Sequence, residues 1–187
     1  MDSQLQDLAD KAIEYAIKSG AQYADARAEH QEKTSMHIED AEIENIQTNI
    51  DHGIGIRLIK ENVWSFCSIT NPKSLEQIKS KIDDAIKTAT HYSRNKKNKI
   101  RLFPNNSKKT TIEYEVLQKP EIEEIKKISI EYGKIISATP RIIKSIVNPW
   151  FAINSKYFVN SEGAEILQNY TDTVIDMVAT AHESKLY

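Results

Sequence analysis

Leu5, Leu8, Ala9, Ala12, Ile13, Ala16 and Ile17 recur at three- and four-residue spacing, which predicts an amphipathic helix at the start of the chain. Gly20 stands where a left-handed C-terminal cap is expected. From Tyr23 the period changes to two: Ala24, Ala26 and Ala28 alternate with Asp25, Arg27 and Glu29, and Met36 and Ile38 flank His37. Short strands are therefore expected as far as about Ile69, with Ile43 and Ile46 marking one of less regular alternation. The runs 53–59 and 63–69 meet across Glu61-Asn62 and read as a hairpin.

Asn71-Pro72 followed by Ser74, with Gln77 three residues on, predicts a capped second helix whose stripe is Leu75, Ile78, Ile82, Ala85, Ile86 and Ala89. Between Ser93 and Thr111 the chain carries Arg94, Lys96, Lys97, Lys99, Arg101, Lys108 and Lys109 and no acidic residue, the composition of a solvated linker. Ile112, Tyr114 and Val116 then alternate as a half-buried strand. Pro120 opens a third helix with an acidic first turn and an expected stripe of Ile122, Ile125, Ile128, Tyr132, Ile135 and Ile136, ended by Pro140. Beyond Arg141, punctuation at Asn148-Pro149, Ile153-Asn154 and Asn160-Ser-Glu-Gly163 separates roughly four strand-like runs, an antiparallel meander. The expected class is α+β: a region over 1–92, a basic linker over 93–110, and a second α+β region over 111–187 that reads as incomplete at its C-terminus.

Composition narrows the function. Of 187 residues, 40% are apolar and 28% charged, with a net charge of −2, so the chain is a foldable globular sequence and not a globally basic nucleic-acid binder. One cysteine, Cys67, forbids an intrachain disulfide and any cysteine-based zinc finger, which points to a reducing compartment. Neither a secretory signal nor an apolar run of membrane-spanning length is present, and the expected location is cytoplasmic with no membrane partner.

Candidate chemistry is sparse. A zinc hydrolase needs two or three ligands converging on one point, and His30, His37, His52 and His91 share no ligand spacing. His182-Glu183 begins like a metallopeptidase motif, but Tyr187 stands where HExxxH requires its second histidine, and 173–181 looks extended instead of helical. Cys67 alternates with Trp64 and Phe66 in an apolar hairpin, the setting of a packing residue and not of a nucleophile. Gly53-Ile-Gly55 lacks the third glycine of a dinucleotide loop and reads as close strand packing. The basic run has only Tyr92 and Phe103 beside it, where single-strand binders carry several stacking platforms, so nucleic acid is not the expected partner.

Four segments in order carry a resemblance. Gly20-Ala-Gln-Tyr-Ala-Asp-Ala-Arg-Ala-Glu29 resembles the GADYADVRxE strand of the TldD/PmbA family, Gly53-Ile-Gly-Ile-Arg57 its GVGVR strand, Glu61-Asn-Val-Trp-Ser-Phe66 its DGxWGF hairpin, and Asn160-Ser-Glu-Gly163 its NSxG turn. Glu61-Asn62 replaces the usual Asp-Gly and Ser65 the glycine between the aromatics. The family is also known as the modulator of DNA gyrase family. The resemblance implies a cytoplasmic zinc metallopeptidase or its degenerate partner, assembled as a dimer, with zinc-activated water as nucleophile and the motif glutamate as base. It implies no catalytic or metal residue here: zinc is expected only for a complete catalytic member, and this chain is expected to be inactive alone. The implied role is substrate access and assembly, with an extended peptide or a TldD/PmbA-type subunit (homo- or heterodimeric) as partner. Arg57, Trp64, Phe66, Asn160, Ser161 and Gly163 are the candidate contacts. A stand-alone binding module, contacting protein or nucleic acid through Arg94, Lys96, Lys97, Lys99 and Arg101, is the alternative. Strand text reaching almost to Tyr187 fits a truncated or split gene.

Overall fold

A computed structural model describes residues 3–95, 100, 102, 110–116 and 119–182. The element order is α1 (Ser3–Lys18), β1 (Tyr23–Glu39), β2 (Glu42–Lys60), β3 (Val63–Thr70), α2 (Leu75–Ser93), β4 (Thr110–Val116), α3 (Ile122–Ser137), β5 (Ile142–Asn160) and β6 (Ala164–Ala181). The strands form one sheet in the order β3-β2-β1-β5-β6-β4. The class is α+β, as the periodicities indicate. The strands are fewer and longer than expected: β1 and β2 are single strands of 17 and 19 residues, and the four runs after Arg141 are two strands. Asn148-Pro149 and Ile153-Asn154, read as breaks, lie inside β5, where Pro149 is fully buried.

Local chemistry sets the element ends. α1 closes on Gly20 at φ 86°, with Ala21 N–H donating to Ala16 O at 3.0 Å and Gly20 N–H to Ile17 O at 2.9 Å, the paired bonds of a glycine-terminated helix. At α2, Ser74 Oγ accepts from Gln77 N–H and the Gln77 amide oxygen accepts from Lys73 N–H at 2.9 Å, so the expected cap is formed. Both β1–β2 and β2–β3 turn through two residues with positive φ, Asp40 and Ala41 in the first and Glu61 and Asn62 in the second. That is the mirror-image turn whose twist matches paired strands. The absence of Asp-Gly at 61–62 therefore leaves the turn type unchanged. β2 and β3 pair antiparallel, from Gly53 opposite Thr70 to Lys60 opposite Val63.

The chain divides into two compact units, and the division falls within β1, β2, β5 and β6. The first comprises Met1–Gln31, Asp51–Glu115 and Asn154–Asn169. Its core packs Leu5, Leu8, Ala12 and Ile13 of α1 and Ile78, Ile82 and Ala85 of α2 onto Ala24, Ala26 and Ala28 of β1 and Ile54, Ile56 and Leu58 of β2. The alanines on alternate β1 positions let the helices approach closely, and each buried isoleucine or leucine contributes roughly 1.5–3 kcal/mol. One face of this part of the sheet is thus covered by helices.

The second unit comprises Glu32–Ile50, Val116–Ile153 and Tyr170–Tyr187. Its small core is Met36, Ile125 and Phe151. α3 is anchored differently from expectation: it buries Ile125, Ser129 and Gly133, while Ile122, Ile128, Tyr132 and Ile135 are exposed. A Cβ on Gly133 would stand 3.1 Å from Ala41 Cα, so the helix presses its smallest residue onto the β1–β2 turn. Asp40 holds that region through its carboxylate, which accepts from Ser145 N–H at 2.9 Å.

Candidate functional site

The helix-free face of the first unit carries an ordered row of polar and aromatic side chains across four strands. At its centre is Asp25 of β1, fully buried although it belongs to the outward set of the Ala24/Asp25/Ala26/Arg27 alternation. Arg57 of β2 donates from Nε to both Asp25 carboxylate oxygens at 3.1 Å and from Nη2 to Oδ2 at 2.8 Å. Arg27 adds Nη1 to Oδ1 at 2.7 Å. The Arg57 guanidinium is held above its already high ordinary pKa, chiefly by its hydrogen bonds to Asp25.

Aromatic rings continue the row on both sides. Arg57 Cζ lies 5.2 Å from the Trp64 ring centre, and Tyr23 meets Trp64 edge-on at 5.7 Å. On the other side Arg27 Cζ lies 5.0 Å from the ring of Phe158. The Tyr23 hydroxyl is pushed up by burial and by the charge of Asp25, while a hydrogen bond with Asn160 acts the other way.

The candidate contacts divide accordingly. Arg57 and Trp64 are joined directly, and Phe66 stands directly opposite Arg57 in the β2–β3 ladder. Asn160 reaches the row through Tyr23. Ser161 and Gly163 build the β5–β6 turn: Ser161 exchanges bonds with Ala24 through its own N–H and its Oγ, and Gly163 takes φ 94°. Asp25, Arg27, Tyr23 and Phe158 were not singled out by the sequence. Their signal was only a carboxylate between two alanines, which reads as an ordinary solvent-facing position. Arg94, at the end of α2, is exposed, while Lys96, Lys97, Lys99 and Arg101 lie outside the described residues, as does 183–187.

A shallow cavity of about 530 Å³ lies beside this row, over Gly53 and Gly55 of β2. Arg27, Glu29 and Gln31 of β1 stand on one side of it, and Phe66, Ser68 and Thr70 of β3 on the other.

The donor set does not fit a zinc ion. Among the described residues no three His, Cys, Asp or Glu side chains converge. His30 and His52 have ring centres 6.1 Å apart, with no third ligand to complete a site. Cys67 faces the helix side of β3, and burial pushes its thiol up to about 11, away from the thiolate a nucleophile or ligand requires.

A helix, a hairpin-built antiparallel sheet and a second helix, with one sheet face left to arginines and aromatics, define an α+β domain. Residues 24–89 match the family described as PmbA/TldA metallopeptidase domain 1. A metalloprotease of Methanocaldococcus jannaschii is 29% identical over 178 residues, which cover 92% of this chain and 38% of that protein. A crystal structure described as a modulator of DNA gyrase from Bacteroides thetaiotaomicron superposes with TM-score 0.72 at 19% identity over 98% of this chain and 42% of its own. TldE from Thermococcus kodakarensis gives TM-score 0.60 at 15% identity over 94% of this chain and 43% of its own. The chain thus spans about two fifths of the length of these relatives. Among the described residues no helix is long and apolar enough to cross a membrane.

Proposed function

We propose that this chain supplies substrate access and subunit assembly to a TldD/PmbA-type cytoplasmic metallopeptidase, the zinc-bearing residues being contributed from outside its described part. The observation that carries this reading is the β3 edge. β3 ends the strand order, so among the described residues one flank of its backbone has no neighbouring strand, and Trp64 and Phe66 project from it exposed at 40% and 62%. A free strand edge with projecting aromatics offers main-chain hydrogen bonds to any extended chain and apolar contact for its alternate side chains. Such recognition suits either a peptide on its way to a protease site or a strand of a second TldD/PmbA-type subunit.

The reading is tested by measuring zinc content and peptide hydrolysis of the isolated chain, alongside binding of extended peptides before and after Trp64→Glu. The expected result is substoichiometric zinc, no hydrolysis, and binding that Trp64→Glu weakens. Stoichiometric zinc with hydrolysis overturns it.

A further inference from the structure

Gly53 and Gly55 both belong to the face that also carries Arg57, and so they leave two consecutive outward positions of β2 without side chains. The strands on either side are not bare. β1 raises Arg27, Glu29 and Gln31, and β3 raises Phe66, Ser68 and Thr70, so the glycines are the floor of a furrow running along β2. The Phe66 ring leans over that floor: a Cβ on Gly55 would meet its edge at 3.4 Å. Walls two strand spacings apart leave roughly 10 Å, enough for one extended chain and too little for a helix. From Arg57 to Asp51 the furrow measures roughly 20 Å, the length of about six extended residues.

Its charges are arranged by position. At one end the guanidinium groups of Arg57 and Arg27 are already committed to Asp25. Along the rest of the furrow the charged liners are Glu29 and Asp51. Glu29 shares a distant contact with Lys156 at 3.7 Å, and among the described residues the Asp51 carboxylate has no hydrogen-bond or ion-pair partner. Its open end is therefore acidic.

We propose that this furrow seats an extended peptide segment that lays its main chain over Gly53 and Gly55, packs an apolar side chain against Phe66, and brings a lysine or arginine to Asp51 and Glu29. The proposal rests on the peptide-access reading above and assigns it a second surface, which shares Phe66 with the β3 edge. Glycine is needed because any larger side chain at 55 occupies the floor. Neither Gly53 nor Gly55 has positive φ; at Gly53 a Cβ would stand 2.8 Å from Ile69 O, so the strand packing itself requires glycine there, whereas at Gly55 only the Phe66 ring is near, at 3.4 Å.

The test uses fluorescently labelled hexapeptides of alternating Val-Lys, Val-Ser and Val-Glu, titrated by anisotropy against the whole chain. The Val-Lys peptide is expected to bind about tenfold tighter than Val-Glu, and Glu29→Gln with Asp51→Asn to remove that preference. Gly55→Val, which fills the floor, is expected to abolish binding. Ser68→Phe, which fills the furrow from an exposed position opposite Gly55 without altering the glycines, does the same should the first variant misfold. Binding indifferent to peptide charge, binding retained by either folded filled variant, or no binding of Val-Lys up to about 1 mM overturns the furrow. Loss on Trp64→Glu with no effect of filling would leave the edge reading standing and the furrow refuted. Hydrolysis by the isolated chain would remove the access reading without touching the furrow.

Discussion

Arg57 grips Asp25 with two nitrogens, Nε and Nη2, at 2.8 to 3.1 Å, and the carboxylate so held is fully buried while the guanidinium remains nearly half exposed. The two ends of this pair are therefore unequal. Removing Asp25 leaves two arginines that water can still solvate, whereas removing Arg57 leaves a buried carboxylate with Arg27 alone. Arg57→Ala is expected to destabilise the fold by about 3 kcal/mol, the lower range for breaking a buried pair, and Asp25→Ala by less. Urea unfolding of both variants checks the order, and an equal or inverted pair of losses contradicts it.

Gly133 offers a second test. In an exposed helix interior, glycine to alanine gains about 1 kcal/mol. Here the added methyl would press on Ala41, whose Cα would stand only 3.1 Å away in a turn already fixed by Asp40. Gly133→Ala is expected to show none of that gain, and Gly133→Leu to destabilise outright. Thermal melts of the two variants decide the matter.

Alkaline stability follows from Tyr157, whose hydroxyl donates to Asp10 Oδ1 at 2.9 Å. Burial first, and this bond second, push its phenol well above the ordinary value near ~10. The folded chain holds the proton more tightly than the unfolded one, so this contribution to stability is complete below about pH 10 and is lost as pH rises beyond it. Tyr23 is displaced in the same direction. Denaturant midpoints measured from about pH 9 to 11 should fall with pH, and the fall should be shallower in Tyr157→Phe.

Cys67 gives a kinetic prediction. With its thiol pushed up to about 11 by burial, little thiolate exists near neutrality. Iodoacetamide is expected to label the native chain far more slowly at pH 8 than the urea-unfolded chain, with the native rate climbing as pH approaches 11. Equal rates in the two states would show that β3 leaves the thiol open.

Much of this architecture was legible in residue order because its causes are local. Gly20, Ser74 with Gln77, and the alternation of Ala24, Ala26 and Ala28 act within a few positions of themselves, and each does in the fold what its spacing implied. α3 departs from its expected stripe because side-chain size points to its isoleucines, whereas this helix docks through Ser129 and Gly133 to approach Ala41. Asn148-Pro149 signals a strand end by composition, yet the proline lies buried within β5. The site was half legible. Arg57, Trp64 and Phe66 share a hairpin and stood out together, but the burial of Asp25 depends on Arg57, 32 positions later. Phe158 is farther still from Arg27.

The sheet order also has a temporal consequence. β1 pairs with β2 through a two-residue turn, yet on its other side Ala24 bonds to Ser161, 137 positions away. The first three strands and two helices can therefore organise early in synthesis, while the far edge of β1 waits for the residues around Ser161 to emerge. Closing so long a loop is slow and comes last. During that interval the nascent chain exposes a naked strand margin, so its encounter with chaperones, or with another unfinished copy, is set by translation speed.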